Sequence, residues 1–99
     1  MRLKKTDRRF NLYHHGFDHF LEFEYDDWNN YHRYRQTFQK VFGPAAWLYK
    51  VDSKSKWYGD FKHKKRSGHL THRIYLRGEK CLSLVELAVP PQKESDVYI

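Results

Sequence analysis

The chain has 99 residues, a length that allows one domain with a modest hydrophobic core. Hydrophobic residues make up 39% and charged residues 31%, which is typical of a folded soluble chain and not of a disordered one. No apolar stretch approaches a membrane span, so no membrane association is expected. The single cysteine, Cys81, excludes an internal disulfide and a cysteine-based zinc site, and we therefore expect a reduced, cytoplasmic setting.

The formal charge of +7 is concentrated in two segments. Residues 1–9 contain five basic side chains and one acidic side chain, and residues 50–80 contain ten and three. Charge segregated in this way favours acidic partners. No apolar run follows residues 1–9, so this segment does not resemble a signal peptide. We expect it to be a mobile basic arm whose Arg8 and Arg9 contact phosphates.

Residues 10–25 alternate between apolar and polar side chains, which predicts a strand with one buried face. A turn at His15-Gly16 would set off a shorter strand over 10–14. Asp26-Asp27 then predicts the start of a helix, because carboxylates suit the positive end of a helix. Gly43-Pro44 predicts its end. An apolar stripe at three- and four-residue spacing predicts the buried face of this helix and consists of Trp28, Tyr31, Tyr34, Phe38, Val41 and Phe42.

Beyond the helix, short apolar segments alternate with turn signals and predict an antiparallel meander. The predicted strands are 45–51, 57–65, 69–77 and 81–89. The predicted fold is α+β, with one helix packed on a mainly antiparallel sheet of about five strands. Residues 10–89 would form this single domain, and residues 90–99, which begin with Pro90-Pro91, a flexible tail.

A two-residue turn at Ser67-Gly68 would place Lys62 opposite Arg73 on one face of a hairpin. Like charges in direct opposition cost stability, and a bound anion would relieve that cost. An exposed face kept polar for solvation, with lysines that prevent edge pairing, is the other interpretation. The hypothesis that this face binds nucleic acid rests on one set of side chains, namely Lys50, Tyr58, Lys62, Lys64, Lys65, Arg66, His69, Arg73, Tyr75 and Arg77, together with Arg8 and Arg9 of the arm.

The first hypothesis is therefore a small nucleic-acid-binding protein. Its cations would neutralise phosphates, while Tyr58 and Tyr75 would stack on unpaired bases, which favours a single strand or a loop. The alternative is a non-enzymatic inhibitor or adaptor that docks on an acidic protein. In that case Leu82 and Leu84, on the outer side of the last predicted strand, would form an apolar contact with the partner. Oligomeric state is left open by the sequence.

A third hypothesis is a metal-dependent nuclease, in which Asp60 and Lys62 lie two residues apart on one strand face. His63 and His72 are predicted to face each other across the hairpin, but a zinc site needs further ligands, so no metal or cofactor is expected. The chain has neither a Gly-x-Ser-x-Gly motif nor a phosphate-binding Gly-x4-Gly-Lys loop. The sequence thus favours a protein that is not an enzyme.

Overall fold

A computed structural model of the protein describes residues 1–46 and 56–89. Within them the chain forms four strands, two α-helices and one 3-10 helix, which confirms the α+β class. Neither described α-helix is long and apolar enough to cross a membrane. The elements in chain order are β1 (Arg2–Lys5), the 3-10 helix (Asn11–His15), β2 (His19–Glu24), α1 (Trp28–Phe42), β3 (Trp57–Lys64), β4 (Leu70–Leu76) and α2 (Glu79–Ala88).

The four strands form one antiparallel sheet in the order β1-β2-β4-β3. The sheet is not a simple meander, because β4 returns to pair with β2 after the chain has passed through α1 and β3. The described sheet therefore has four strands where about five were predicted. Of the predicted strand 45–51, residues 45 and 46 are not in a strand and 47–51 lie outside the described residues, as does the predicted tail 90–99.

The N-terminal segment differs from the prediction. Residues Arg2–Lys5, expected in a mobile arm, form β1 and pair with β2, so that Lys4 lies beside Phe20. Lys4 also reaches Glu22 with an Nζ–Oε1 distance of 2.9 Å, which adds an ion pair to the backbone ladder. The short strand predicted at 10–14 is instead the 3-10 helix, which ends at Gly16 with φ 90°, a conformation that suits glycine.

The segment predicted as the last strand, 81–89, forms most of α2. Its buried side chains, Cys81, Leu82 and Val85, follow helical spacing and not alternation. Leu82 and Leu84 would share a face in a strand, but a helix separates them. Leu82 is 8% exposed and belongs to the core, whereas Leu84 is 53% exposed. The prediction that both leucines line one outer surface is therefore wrong for Leu82.

Both helices pack on one face of the sheet, called here the helix face. Phe38 of α1 contacts Trp57 of β3 with 5.7 Å between ring centroids, and the Trp57 indole N–H donates to the Gly43 carbonyl at the end of α1. Gly59 allows close approach of α1, because a Cβ there would lie 3.1 Å from the Tyr31 hydroxyl. The main core is Leu21, Phe23, Tyr31, Tyr34, Phe38, Trp57, Ile74, Leu76, Cys81, Leu82 and Val85. Of the predicted helical stripe, Trp28 and Val41 remain exposed.

The hairpin register is offset from the prediction by one residue next to the loop and by two residues from Asp60 to Trp57. The loop has three residues, since the Lys65 N–H donates to the His69 carbonyl, and Gly68 takes φ 89° within it. A bulge between Asp60 and His63 adds the second residue, with Lys62 at φ 57°. As a result Arg73 lies opposite Asp60, and the predicted opposition of Lys62 and Arg73 does not occur.

The assignment of α2 generates a stability prediction. Leu82→Ala should lower the free energy of unfolding by about 2–5 kcal/mol, because it leaves a cavity in the core. Leu84→Ala should change it by less than about 0.5 kcal/mol, because the side chain is largely in solvent. Urea unfolding of both variants measures the difference. Equal effects would contradict a helix at this position.

Candidate functional site

The face of the sheet opposite the helices, called here the outer face, carries a second cluster of buried residues. Phe20 of β2 and Tyr75 of β4 lie side by side, with 5.3 Å between ring centroids. The 3-10 segment covers part of this face with Leu12, and Phe10 packs on Phe20 at 5.4 Å. The outer face is therefore not an open cationic surface, because the N-terminal segment crosses it.

Between the N-terminal segment and the β3–β4 hairpin lies a groove of about 750 Å³. We call it the arginine groove, and its lining residues are Arg9, Phe10, Leu12, Tyr58, Asp60, His63, Arg66, Arg73 and Tyr75. Three arginines and one carboxylate, Asp60, line the groove. Arg9 is also paired with Asp7, with an Nη2–Oδ2 distance of 2.7 Å, and Arg73 is paired with Glu22 at 3.3 Å. Concave shape, aromatic walls and guanidinium groups together suit a planar, anionic ligand.

Arg73 is fixed in place at the base of this groove. It is 8% exposed, and its Nη2 lies 3.3 Å from Oε2 of Glu22 on the neighbouring strand. Its Nη1 donates to the Tyr75 hydroxyl at 3.0 Å, and its guanidinium lies 4.6 Å from the centroid of the Phe20 ring. An arginine held on several sides is preorganised for a ligand, since little side-chain entropy remains to be lost.

Glu22 is the carboxylate that organises these cations. It is 6% exposed and lies within ion-pair distance of Lys4 at 2.9 Å, Lys65 at 3.2 Å and Arg73 at 3.3 Å. Burial raises the pKa of the Glu22 carboxyl, but hydrogen bonds from Lys4 and Lys65 outweigh it and hold the pKa below its usual value. Glu22 is therefore ionised at neutral pH, and the three cations exceed its charge.

Asp60 and His63 form a second polar pair in the groove. His63 Nδ1 lies 2.8 Å from Asp60 Oδ2, an arrangement that orients the imidazole ring. Both side chains are partly exposed, and Arg66 extends from the hairpin loop beside them. The bulge is the reason His63 lies here, because it moves the residue to the outer face, opposite Thr71 and not opposite His72 as predicted.

The structure gathers five of the predicted binding residues in the arginine groove, which are Arg9, Tyr58, Arg66, Arg73 and Tyr75. Tyr75 is only 3% exposed, so its ring cannot serve as the predicted stacking surface. Burial raises the pKa of its phenol, and the hydroxyl accepts the hydrogen bond from Arg73.

The other predicted binding residues lie elsewhere. Lys65 pairs with Glu22, and His69 lies 3.2 Å from Glu24 at the end of β2. Arg77 stacks its guanidinium 4.6 Å from the Phe17 ring centroid. Arg8 and Lys64 are exposed outside the groove, and Lys50 lies outside the described residues.

The bulge also separates the acid and lysine of the nuclease hypothesis. Asp60 lines the arginine groove, whereas Lys62 lines a different pocket together with His72. His72 is buried on the helix face and does not face His63, which corrects the predicted histidine pair. In the described ranges, no three His, Cys, Asp or Glu side chains are grouped as metal ligands.

Comparison with protein-family models, curated proteins and solved structures finds no match to this chain. Function therefore has to be inferred from the residues and their geometry.

Sequence reasoning missed Phe10, Leu12 and His63 as groove residues and Glu22 as the acid that orients Arg73. Two local signals bear on them. Phe10-Asn-Leu12 directly follows the basic segment, and Gly68 after a polar pair is compatible with a three-residue loop. The bulge at Lys62 has no comparable signal, because lysine is not a residue that favours positive φ.

Replacing Glu22 should reveal how much the buried ion pairs contribute to the free energy of unfolding. Glu22→Gln leaves the buried Arg73 without its carboxylate, and we expect a loss of about 3 kcal/mol in the free energy of unfolding. The matched control is Glu24→Gln, since Glu24 is exposed, and the expected change is below about 0.5 kcal/mol. Urea unfolding at neutral pH measures both.

The same pair of variants gives a pH dependence. The pKa of Glu22 in the folded protein lies below its usual 4.5. The contribution of the ionised Glu22 carboxylate to the free energy of unfolding is therefore fully present above pH 4.5 and is lost as the pH falls through the folded pKa. The stability gap between the wild type and Glu22→Gln should therefore narrow on acidification below pH 4.5. A gap that stays constant to pH 3 would show that the carboxylate charge is not responsible.

Proposed function

We propose that the protein binds single-stranded or looped nucleic acid in the arginine groove. The observation that carries this proposal is the grouping of Arg9, Arg66 and Arg73 around a concave surface with aromatic walls. Arg66 is exposed and can meet a phosphate, while Arg73 adds a fixed positive charge at the base. Arg9 is also exposed but is paired with Asp7, and a phosphate would have to compete with that surface ion pair.

Aromatic rings on the groove wall support an unpaired base as the second part of the ligand. Tyr58 is partly exposed, and its ring contacts that of buried Tyr75 with 6.2 Å between centroids and 51° between planes. Phe10 is also partly exposed on the facing wall. A stacked base in a duplex cannot enter such a groove, whereas a base in a single strand or loop can.

Affinity for a short single-stranded oligonucleotide should fall with salt, because each neutralised phosphate releases counterions. Arg66→Gln should weaken binding and reduce the slope of log K against log salt by about 0.7, the value for one phosphate on a single strand. The control is Lys80→Gln, which removes an exposed charge on α2 and should leave the slope unchanged. Fluorescence anisotropy over a range of salt concentrations measures both, and a flat salt response would refute phosphate binding.

An acidic protein partner is the second candidate, and the exposed apolar side of α2 favours it. Leu84 and Leu87 lie one turn apart on this side, and Leu87 is 87% exposed. Loss of the Tyr58 ring in Tyr58→Leu should cost about 1–3 kcal/mol of oligonucleotide binding if a base stacks on it. Leu87→Asp should leave oligonucleotide binding unchanged.

Affinity capture from lysate with and without nuclease tests the two candidates on the same variants. Recovery of nucleic acid that depends on Tyr58 supports the proposed function. Recovery of a nuclease-resistant acidic protein that depends on Leu87 and not on Tyr58 would replace it with the adaptor.

A further inference from the structure

A second pocket, of about 450 Å³, lies on the other side of β3 from the arginine groove. We call it the aromatic pocket, and its lining residues are Tyr25, Asp26, Trp28, Phe61, Lys62 and His72. The residues Tyr25, Trp28 and Phe61 are 46%, 43% and 44% exposed. Phe61 also contacts the core ring of Tyr31 at 5.7 Å, and Trp28 contacts His32 at 5.6 Å. Three large aromatic side chains that stay partly exposed around one pocket are nevertheless a feature that core packing alone does not explain.

The floor of the pocket is a rigid platform. His72 is buried, and its ring stacks on Phe61 with 4.5 Å between centroids and 8° between planes. Tyr25 stacks on the same imidazole at 5.6 Å and 27°. The Lys62 N–H donates to His72 Nδ1 at 3.0 Å, so the proton lies on Nε2, which donates to the Tyr25 carbonyl at 2.9 Å. Both ring nitrogens are thus used, and the platform is fixed.

The charges at the rim select between two kinds of ligand. Aromatic pockets bind either cations over the ring faces or planar rings between them. Lys62 places its own ammonium 5.4 Å from the centroid of the Phe61 ring, so a second cation would meet a like charge. A planar heteroaromatic ring with an attached anion suits the same pocket, because Lys62 can pair with the anion and Asp26 can accept hydrogen bonds from ring amino groups.

We propose that the aromatic pocket binds one unpaired nucleobase and that Lys62 contacts its phosphate. This inference rests on the proposed function and extends it, because a strand bound in the arginine groove would continue over β3 into the pocket. In the described sheet β3 is an edge strand, and on its outer edge the Trp57 carbonyl accepts a hydrogen bond from the Ala46 N–H. Asp60 and His63 line the groove, and the two residues between them, Phe61 and Lys62, line the pocket. No other element has to be crossed between the two sites in the described structure.

The experiment uses adenosine 5′-monophosphate as probe in isothermal titration calorimetry. We expect Phe61→Leu and Tyr25→Leu each to weaken binding about tenfold, because each removes one stacking ring. Tyr13→Leu is the matched control, since Tyr13 is exposed to a similar extent but lines neither site. Lys62→Gln should weaken binding of the monophosphate and leave binding of adenosine unchanged. Circular dichroism checks the fold of each variant. If a ring variant fails to fold, Lys62→Gln still tests the inference, because Lys62 is exposed and its replacement should not unfold the protein.

Three outcomes would overturn the inference. They are equal losses in Tyr25→Leu and Tyr13→Leu, binding of tetramethylammonium in preference to adenosine monophosphate, and failure of adenosine monophosphate to bind. If adenosine monophosphate does not bind but an oligonucleotide binds in a manner that depends on Arg66, the inference about the aromatic pocket is refuted and the proposed function is retained. If the monophosphate binds in a manner that depends on Tyr25 but no oligonucleotide binds, the aromatic pocket is retained as a nucleotide site and nucleic-acid binding in the arginine groove is refuted.

Discussion

The buried carboxylate of Glu22 is the interaction on which the outer face depends. Glu22 lies in the middle of β2, and its oxygens face Lys4 of β1, Arg73 of β4 and Lys65, the residue after β3. One acid thus links the outer sides of β1, β2 and β4 with the start of the hairpin loop. A buried charge is tolerated only when it is paired, so the presence of Glu22 requires the cations to gather around it.

This requirement also shapes the arginine groove. Arg73 would be costly to bury alone, but Glu22 on one side and the Phe20 ring below allow it to lie at the base of the groove. Because Glu22 supplies one negative charge for three cations, the region retains a positive excess that solvent and Asp60 only partly offset. Arg66 and Arg9 are not drawn into the Glu22 cluster and remain exposed at the rim, where Arg9 pairs instead with Asp7.

The sequence predicts the parts of the fold that local signals determine. Helix α1 begins after the acidic pair and ends at Gly43, as predicted, because apolar spacing and the glycine cap act within a few residues. The Asp27 side chain itself makes no capping hydrogen bond. The segment 81–89 is ambiguous, since its leucines alternate as in a strand while Cys81, Leu82 and Val85 also fit a helix, and only packing against α1 and β4 decides between them.

The candidate site depends on register, and register was the least predictable feature. One extra residue in the loop and one in the bulge restore the expected facing of Tyr58 and Arg73 but reverse that of His63 and Lys64. The burial of Tyr75 could not be predicted either, because no local sequence signal indicates that Phe20 and the 3-10 segment cover it. The shared face of Tyr58, Arg73 and Tyr75 could therefore be predicted, whereas the groove, the partners of these residues and their exposure could not.

The bulge at Lys62 connects the two candidate sites. A lysine at φ 57° carries a conformational cost of about 1–2 kcal/mol relative to the usual backbone, and other contacts have to offset that cost. The hydrogen bond from the Lys62 N–H to His72 does so at the point of strain. The bulge turns Phe61 and Lys62 to one side of β3 and Asp60 and His63 to the other. A regular strand would alternate these four residues one by one, and neither the aromatic pocket nor the Asp60–His63 pair would then form.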